Sequence, residues 1–474
     1  MKKSTKIVAT IGPATETEEI ITDLINAGMN VARFNTKHGT PEWHQVRMKR
    51  VRKVAQEMGK AVGILLDLQG PEIRITLPTD EPFPVKPGDR VTFTADEKNK
   101  TPKTPYIPQI VVSTLEVGHH ISIDDGIGEF EVIEKHADSI VCSAKGTFEV
   151  KQRKTLNTPG ILIDLPSLIP ADLVQLDGAN NDLVDFVGLS FVRNAHDIAI
   201  LKNELAKRKL EAGIVAKIEN QAAIENLEEI LDVSDAVMVA RGDLAVEVPF
   251  EELTHWQKVL ITKSREKAIP VITATQMLKS MVDNPVPTRA EVSDVANAIY
   301  DGTDAIMLSE ETTIGKFPVK AVETQAKIAA FNEQYAKPIP IKTYDTDASA
   351  YITHAAVSLL EISSLKTNKI TIDTIVCLTE TGQTARNISR FRPQVPVHAL
   401  TSNSQAYRKM SLLYDVTPHI VELPQGENLE SSEKILDSLV KLGIARSGDS
   451  ILLVHGTFWK KPGLTNTLSI LQIP

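Results

Sequence analysis

Apolar runs of strand length recur along the chain, and each ends in polar or small residues. In order they are KIVATIG (6–12), NVARFN (30–35), AVGILLDL (61–68), LVDFVGLSF (183–191), GIVAKIE (213–219), AVMVARGD (236–243), PVITATQ (270–276) and AIMLSEE (305–311). These eight runs read as parallel strands buried on both faces. Most are joined by amphipathic helical stretches. ETEEIITDLINAGM (16–29) puts Ile20, Ile21, Leu24 and Ile25 on one face and meets Gly28 near its end. TPEWHQVRMKRVRKVAQEMGK (40–60) has Pro41 after a Thr40 N-cap and stops at Gly59, and PFEELTHWQKVLITKSREKAI (249–269) is a third helix. Eight strand–helix units make an α/β chain, a (β/α)₈ TIM barrel, whose chemistry belongs at the carboxyl ends of its strands.

The rhythm breaks once, between Leu68 and Leu183. Residues 74–156 are rich in Pro, Gly, Val and Thr, with short alternating runs: RVTFTA, HHISIDDGIGEFEVIE and DSIVCSA. This predicts a small all-β domain inserted after the third strand, placed on the catalytic face as a lid or as a passive insertion. The barrel then occupies 1–73 and 157–345. From 346 to 474 a separate rhythm begins, with SAYITHAAVSLLEIS, TIVCLTETGQTARNISRFRP, VPVHALTS, HIVELP, DSILLVHG and LSILQI, and predicts an open α/β domain.

Size and composition agree with several domains and narrow the partners. At 474 residues the chain exceeds one core. A net charge of −9 argues against a nucleic-acid-coating surface, so any anion site is a local basic focus. Two cysteines, Cys142 and Cys377, fit a reducing compartment and offer no disulfide or metal pattern. The opening apolar run is too short for a signal sequence and no stretch approaches bilayer length, so the expected location is cytoplasmic, without membrane contact.

Candidate chemistry lies at the strand ends. VARFNTKHG (31–39) gathers Arg33, Asn35, Lys37 and His38, which serve either an anion or a solvated strand end. AKIEN delivers Lys217 and Glu219 from one strand face, and ARGD delivers Asp243 from the next strand. The two carboxylates suit one Mg²⁺, which takes one or two protein carboxylates and fills its shell with water and substrate oxygens. The alternative is a structural ion network of Glu219 and Asp243 with Lys217 and Arg241. Arg33 and Arg74 offer bidentate phosphate geometry, and Thr275 places a hydroxyl on the same face. No G-x-x-x-x-G-K-[ST] occurs, which excludes a Walker-type nucleotide site.

Over nearly its full length the chain resembles the pyruvate kinase family. The resemblance is carried, in order, by KIVATIGPAT, AGMNVARFNTKHG, ILLDLQGPEIR, IDDGIG, RKTLNTPG, SFVR, AKIEN, VMVARGDL, ATQMLKSM, PTRAEVSDVANAIYDGTDAIMLSEET and TGQTARNISRFRP. It implies phosphoryl transfer from phosphoenolpyruvate to ADP, giving pyruvate and ATP. Glu219 and Asp243 would hold Mg²⁺, or Mn²⁺ in its place, and Lys217 would stabilise the transferring phosphoryl group and the enolate oxygen. Arg33 would bind the phosphoryl group. The backbone at Gly242 and the Thr275 hydroxyl would receive the carboxylate, with Thr275 on the side from which the enolate is protonated. Arg74, His38 and Lys154 would face the nucleotide phosphates beside a second, nucleotide-borne Mg²⁺. Asn35, Asp67 and the Leu68 carbonyl match a monovalent-cation site.

The resemblance also implies a homotetramer and a sugar-phosphate effector at TETGQT, where Thr379, Thr381, Gly382, Gln383 and Thr384 offer hydroxyls and N–H groups, with Lys460 and Lys461 as cationic partners. The competing reading of that loop is an ordinary strand-to-helix turn. Departures from the family pattern are specific. Lys37 replaces a Ser that is a K⁺ ligand, Leu68 and Gln69 stand for Thr and Lys, Ala245 replaces a Gly, and Glu310 replaces the Gly of S-G-E-T. Lys37 leads to the expectation that its ammonium takes the ion's place among Asn35, Asp67 and the Leu68 carbonyl, making K⁺ dispensable, the competing reading being that it turns to solvent. Glu72 of GPEIR is the residue usual in K⁺-dependent members of the family, so independence would be reached here from a different position on the same site. Lys37 is also the best support for the alternative, an inactive relative kept as a metabolite-binding or scaffold protein.

Overall fold

The computed structural model describes residues 3–99, 101–342, 347–364, 370–422, 432–457 and 465–473. All eight expected strands are present: β1 (Lys6–Thr10), β2 (Val31–Asn35), β3 (Gly63–Asp67), β4 (Phe186–Leu189), β5 (Gly213–Ile218), β6 (Ala236–Ala240), β7 (Val271–Ala274) and β8 (Ala305–Leu308). They close into a parallel barrel in sequence order, β8 returning to pair with β1 through Lys6 opposite Ala305. Period-two alternation divides each strand. Ile7, Ala9, Ala32, Ile64 and Leu66 belong to the core under the helices, whereas Val8, Val31, Leu65, Val215 and Met238 fill the barrel's centre. The inward row that is apolar at the bottom turns polar one step higher, at Thr10, Arg33, Asp67 and Lys217. That switch converts a packed core into a site.

The helices start and stop for local reasons. α1 (Glu18–Ala27) follows Thr17, whose hydroxyl accepts from the Ile20 N–H, and ends at Gly28 with φ 122°. α2 (Pro41–Glu57) follows Thr40, whose hydroxyl accepts from Trp43. The third stretch opens as a short 3₁₀ turn, Phe250–Glu252, before the helix Leu253–Glu266.

Between β3 and β4 lies an antiparallel five-stranded sheet built from Arg90–Thr94, His120–Ile123, Gly128–Lys135, Ser139–Ala144 and Leu156–Asn157. It has its own core, in which Phe93, Phe130 and Phe148 meet edge to face at 5.2 Å. The C-terminal sheet runs Val416–Ile420, Val397–Thr401, Thr374–Leu378, Ser450–Gly456, Thr465–Gln472, and only the last strand is antiparallel. The strand expected at HIVELP begins earlier, at Val416, because it pairs with the strand from Val397 to Thr401, and its last ladder bond is the Val421 N–H to the Thr401 carbonyl. Leu412 of this domain joins the apolar plug at the bottom of the barrel. Among the described residues no helix is long and apolar enough to cross a membrane.

Candidate active site

Arg33, Asp67 and Lys217 point into the barrel mouth from β2, β3 and β5. Arg33 is held by Asp67 (Nε to Oδ2, 2.7 Å) and by the Thr10 hydroxyl (Nη1, 3.0 Å). The Lys217 ammonium lies 2.8 Å from Oε1 of Glu219 and 3.5 Å from Oδ1 of Asp67, and it donates to Oγ of Ser190 at 2.7 Å. Ser190 in turn donates to the Leu68 carbonyl at 2.7 Å. Gly188 makes room for this group, since a Cβ there would sit 2.7 Å from Oδ1 of Asp67.

The charges are strongly coupled. Burial pulls the Lys217 ammonium down, but Asp67, Glu219 and Asp243 outweigh it and hold the group above the usual lysine value. Burial likewise pushes Asp67 up, and Lys217 and Arg33 reverse it, leaving that carboxyl below its ordinary range. Glu219 goes the other way: burial raises it, Lys217 opposes and Asp243 reinforces. Asp243 is raised, chiefly by burial.

Two carboxylate features fit a divalent cation. Oε1 of Glu219 is buried and accepts no well-formed hydrogen bond, while Oε2 accepts the Phe191 N–H at 2.7 Å. The Asp243 carboxylate has no hydrogen bond or ion pair among the described residues and lines the cleft. The ion-network alternative holds for one pair, Lys217 with Glu219. Arg241 instead grips Asp294 with both Nη atoms, at 2.6 and 2.8 Å.

Arg241 does more. It donates to the Ala274 carbonyl (3.1 Å) and the Thr275 carbonyl (2.7 Å), pinning the end of β7. There Thr275 and Gln276 both have left-handed backbones, with φ 69° and 55°. The Thr275 hydroxyl accepts the Gly242 N–H at 2.8 Å and donates to the Ala274 carbonyl at 2.7 Å, so the two groups expected to take a carboxylate bind each other here.

A cleft of about 1260 Å³ separates the barrel mouth from the inserted sheet. Lys37, Arg74, Lys154, Gly242, Asp243 and Thr275 line it. Lys154 pairs with Asp124 at 2.7 Å, from the residue between a turn and the bridge that Thr155 makes with Arg74. Arg74 holds Glu72 through Nε at 3.0 Å and Nη2 at 2.9 Å. His38 is solvent-exposed and stands outside the cleft lining, its carbonyl accepting from His44.

Lys37 corrects an expectation. Its ammonium pairs with Oε1 of Glu72 at 2.8 Å and not with Asp67 or the Leu68 carbonyl; only its backbone N–H reaches Asn35, at 3.2 Å. The expected ligands are engaged by nearer donors: Asp67 by Arg33 and Lys217, the Leu68 carbonyl by Ser190. Glu310, unexplained by sequence, forms an ion pair with Lys279 on the cleft wall.

At the loop 379–384, Thr379 accepts the Gly382 N–H at 2.9 Å and Thr381 accepts the Gln383 N–H at 3.4 Å. Gln383 donates to Asn387, and the Thr384 hydroxyl meets Thr465 at 2.7 Å. Lys460 and Lys461 lie outside the described residues.

Profiles described as "Pyruvate kinase, barrel domain" and "Pyruvate kinase, alpha/beta domain" match residues 2–322 and 358–471. The chain belongs to the pyruvate kinase family. A curated pyruvate kinase of Staphylococcus epidermidis is 39% identical over 479 residues, covering 99% of this chain and 80% of its own length. One of Bacillus licheniformis is 40% identical over 485 residues with the same coverage. A crystal structure of a pyruvate kinase from Cryptosporidium parvum superposes with a TM-score of 0.89 at 31% identity, over 100% of this chain and 96% of that one. The pyruvate kinase reading makes the protein a phosphotransferase built on a barrel with an α/β partner domain. Sequence reasoning missed Ser190 and Asp294 as parts of this mouth, and it placed Glu72 at the cation site without foreseeing that Lys37 and Arg74 both bind it.

Proposed function

We propose that the barrel mouth transfers the phosphoryl group of phosphoenolpyruvate to ADP, yielding pyruvate and ATP in glycolysis. The observation that carries this is the Lys217 ammonium, buried and shared among Ser190, Glu219 and Asp67 beside Arg33. It is a preorganised cation where charge develops on the phosphoryl and enolate oxygens. Arg33 binds the phosphoryl oxygens. Glu219 and Asp243 hold Mg²⁺ or Mn²⁺, which when bound neutralises charge on substrate oxygens. The substrate carboxylate takes the Gly242 N–H and the Thr275 hydroxyl as they release each other, and the enolate gains its proton from the Thr275 side. Arg74 and Lys154 serve the nucleotide side from the cleft wall, whereas His38 and Asn35, outside the cleft lining, reach a nucleotide only if it extends past Lys37. Pyruvate release from phosphoenolpyruvate and ADP with Mg²⁺, followed by a coupled assay, tests this; absence of turnover under every cation condition would refute it. The inactive alternative rested on Lys37, whose ammonium lies on Glu72 and leaves Asp243 and Glu219 unobstructed.

The monovalent-cation reading changes with the geometry. Glu72, its side chain 9% exposed, sits between Lys37 and Arg74, so the chain itself supplies the positive charge beside this carboxylate. Turnover is therefore expected to be independent of K⁺, now through the Lys37–Glu72 pair. Rates in sodium- and potassium-free buffer test it: strong K⁺ activation of the wild type would refute it, and Lys37→Ser should create a K⁺ requirement. A phosphorylated sugar effector at 379–384, a homotetramer and a cytoplasmic location complete the reading. A screen of sugar phosphates, sedimentation and cell fractionation test these in turn.

A further inference from the structure

Where the floor of the barrel meets the C-terminal domain there is a cavity of about 290 Å³, far from the mouth. That volume is at the small end of ligand pockets. The barrel contributes Arg265, Tyr300 and the segment 333–339, and the C-terminal domain contributes 392–396 with Tyr414 and Asp415. Arg265, in the last turn of its helix, is 2% exposed. Its Nε and Nη2 donate only to carbonyls, those of Arg390 (3.3 and 3.2 Å) and Ile339 (3.1 Å). Among the described residues it forms no ion pair, and its Nη1 makes no hydrogen bond. Gly302, with φ 87°, leaves space beside that atom, since a Cβ there would come within 3.1 Å of it.

The other charges in the wall of the cavity, the rim apart, are already matched. Arg392 pairs with Asp304 at 3.0 Å and lies over the Tyr414 ring at 4.3 Å. Glu333 accepts the N–H groups of Ser4 and Thr5, both at 2.7 Å. Asp415 is itself engaged. Lys337 adds an exposed cation at the rim. A buried guanidinium with no carboxylate at ion-pair distance is costly: burial and then Arg392 pull it down to about 9, against a smaller upward pull from Asp304 and Tyr414.

We propose that this inter-domain cavity is a binding site for a small organic anion whose carboxylate or phosphate accepts from Nη1 of Arg265. Its apolar part lies against Tyr300 and Val395. Because both domains line the cavity, the bound anion ties them together and raises the stability of the joined form. This site stands apart from the catalytic reading and does not depend on it.

The test uses the full chain in a low-anion buffer, with succinate as the carboxylate probe and inorganic phosphate as the phosphate probe, each followed by thermal shift and calorimetry. At least one should raise the melting temperature saturably, and Arg265→Gln should weaken it by about tenfold or more. The arm that responds identifies the ligand chemistry. Ala336→Trp, which fills the cavity while leaving Arg265 in place, should abolish the same response and keeps the test decisive should Arg265→Gln not fold. Without added anion, Arg265→Gln should be at least as stable as the wild type. Failure of both probes on the wild type, or shifts unaltered in Ala336→Trp, would overturn the proposal; neither result bears on pyruvate formation.

Discussion

Asp294→Asn should slow catalysis without touching any group that meets substrate. Asp294 holds Arg241 by two hydrogen bonds at 2.6 and 2.8 Å, and Arg241 holds the carbonyls of Ala274 and Thr275. Asparagine keeps one acceptor but loses the charge. The Asp294 side chain is 33% exposed, which screens the pair, so the loss is about 1–2 kcal/mol, the scale of one charge-assisted bond. Against this stands the strain at Thr275 and Gln276, two non-glycine residues with φ 69° and 55°, costing roughly 1–2 kcal/mol each. Loosening the clamp by that amount lets the turn relax and withdraws the Thr275 hydroxyl for much of the time. A cost of about 1.4 kcal/mol corresponds to a tenfold lower kcat. KM for phosphoenolpyruvate should change less, because Arg33 and Lys217 are untouched. Gln276 is exposed and its side chain makes no hydrogen bond among the described residues, so Gln276→Gly removes part of the strain at little other cost. The double variant should recover most of the lost kcat. A kcat within twofold of wild type in Asp294→Asn, or no recovery in the double variant, would refute the positioning role of Arg241.

Asp243→Asn and Glu219→Gln should each remove most activity and weaken Mn²⁺ in a direct titration, whereas Lys217→Met should leave Mn²⁺ binding in place while cutting kcat by about 10²–10³. Unchanged metal affinity in both carboxamide variants would contradict the ligand assignment. Burial pushes both thiols, Cys142 and Cys377, up to about 12. At pH 8 the thiolate fraction is then on the order of 10⁻⁴, and iodoacetamide should label the native chain only after denaturant is added. Glu310→Gly, which breaks a pair whose side chains are 51% and 53% exposed, should shift stability by no more than about 1 kcal/mol in chemical denaturation and leave Mn²⁺ affinity unchanged.

What sequence could and could not reveal follows from distance along the chain. Lys217 and Glu219 were legible as a pair because two-residue spacing puts both on one strand face, and the inward rows ending in Arg33 and Asp67 obey the same rule. The eight strands were legible because burial on both faces leaves no polar alternation. Partners reached through space were not. Ser190 meets Lys217 across 27 residues, Glu72 meets Lys37 across 35, and Asp294 meets Arg241 across 53. Nothing in the local pattern marks Ser190 or Asp294, and nothing in the pattern around Glu72 tells that Lys37 is its partner. Lys37 was misjudged for the same reason: its ammonium joins Glu72, a carboxylate that Arg74 also holds, and that meeting is set by how β2 and the segment after β3 lie together.

The closure of β1 against β8 has a consequence for the order in which the molecule can be made. Lys6 waits for Ala305 to emerge before β1 gains its second neighbour. The inserted sheet is complete once Asn157 is out, and its core of Phe93, Phe130 and Phe148 is wholly its own. Contacts of short sequence separation form first and domains fold as units during synthesis. The insertion is thus a finished body hanging from a half-built barrel whose first and latest strands still present raw edges. Those open edges are the nascent chain's main hazard for pairing with another copy. Only the arrival of β8 removes both at once.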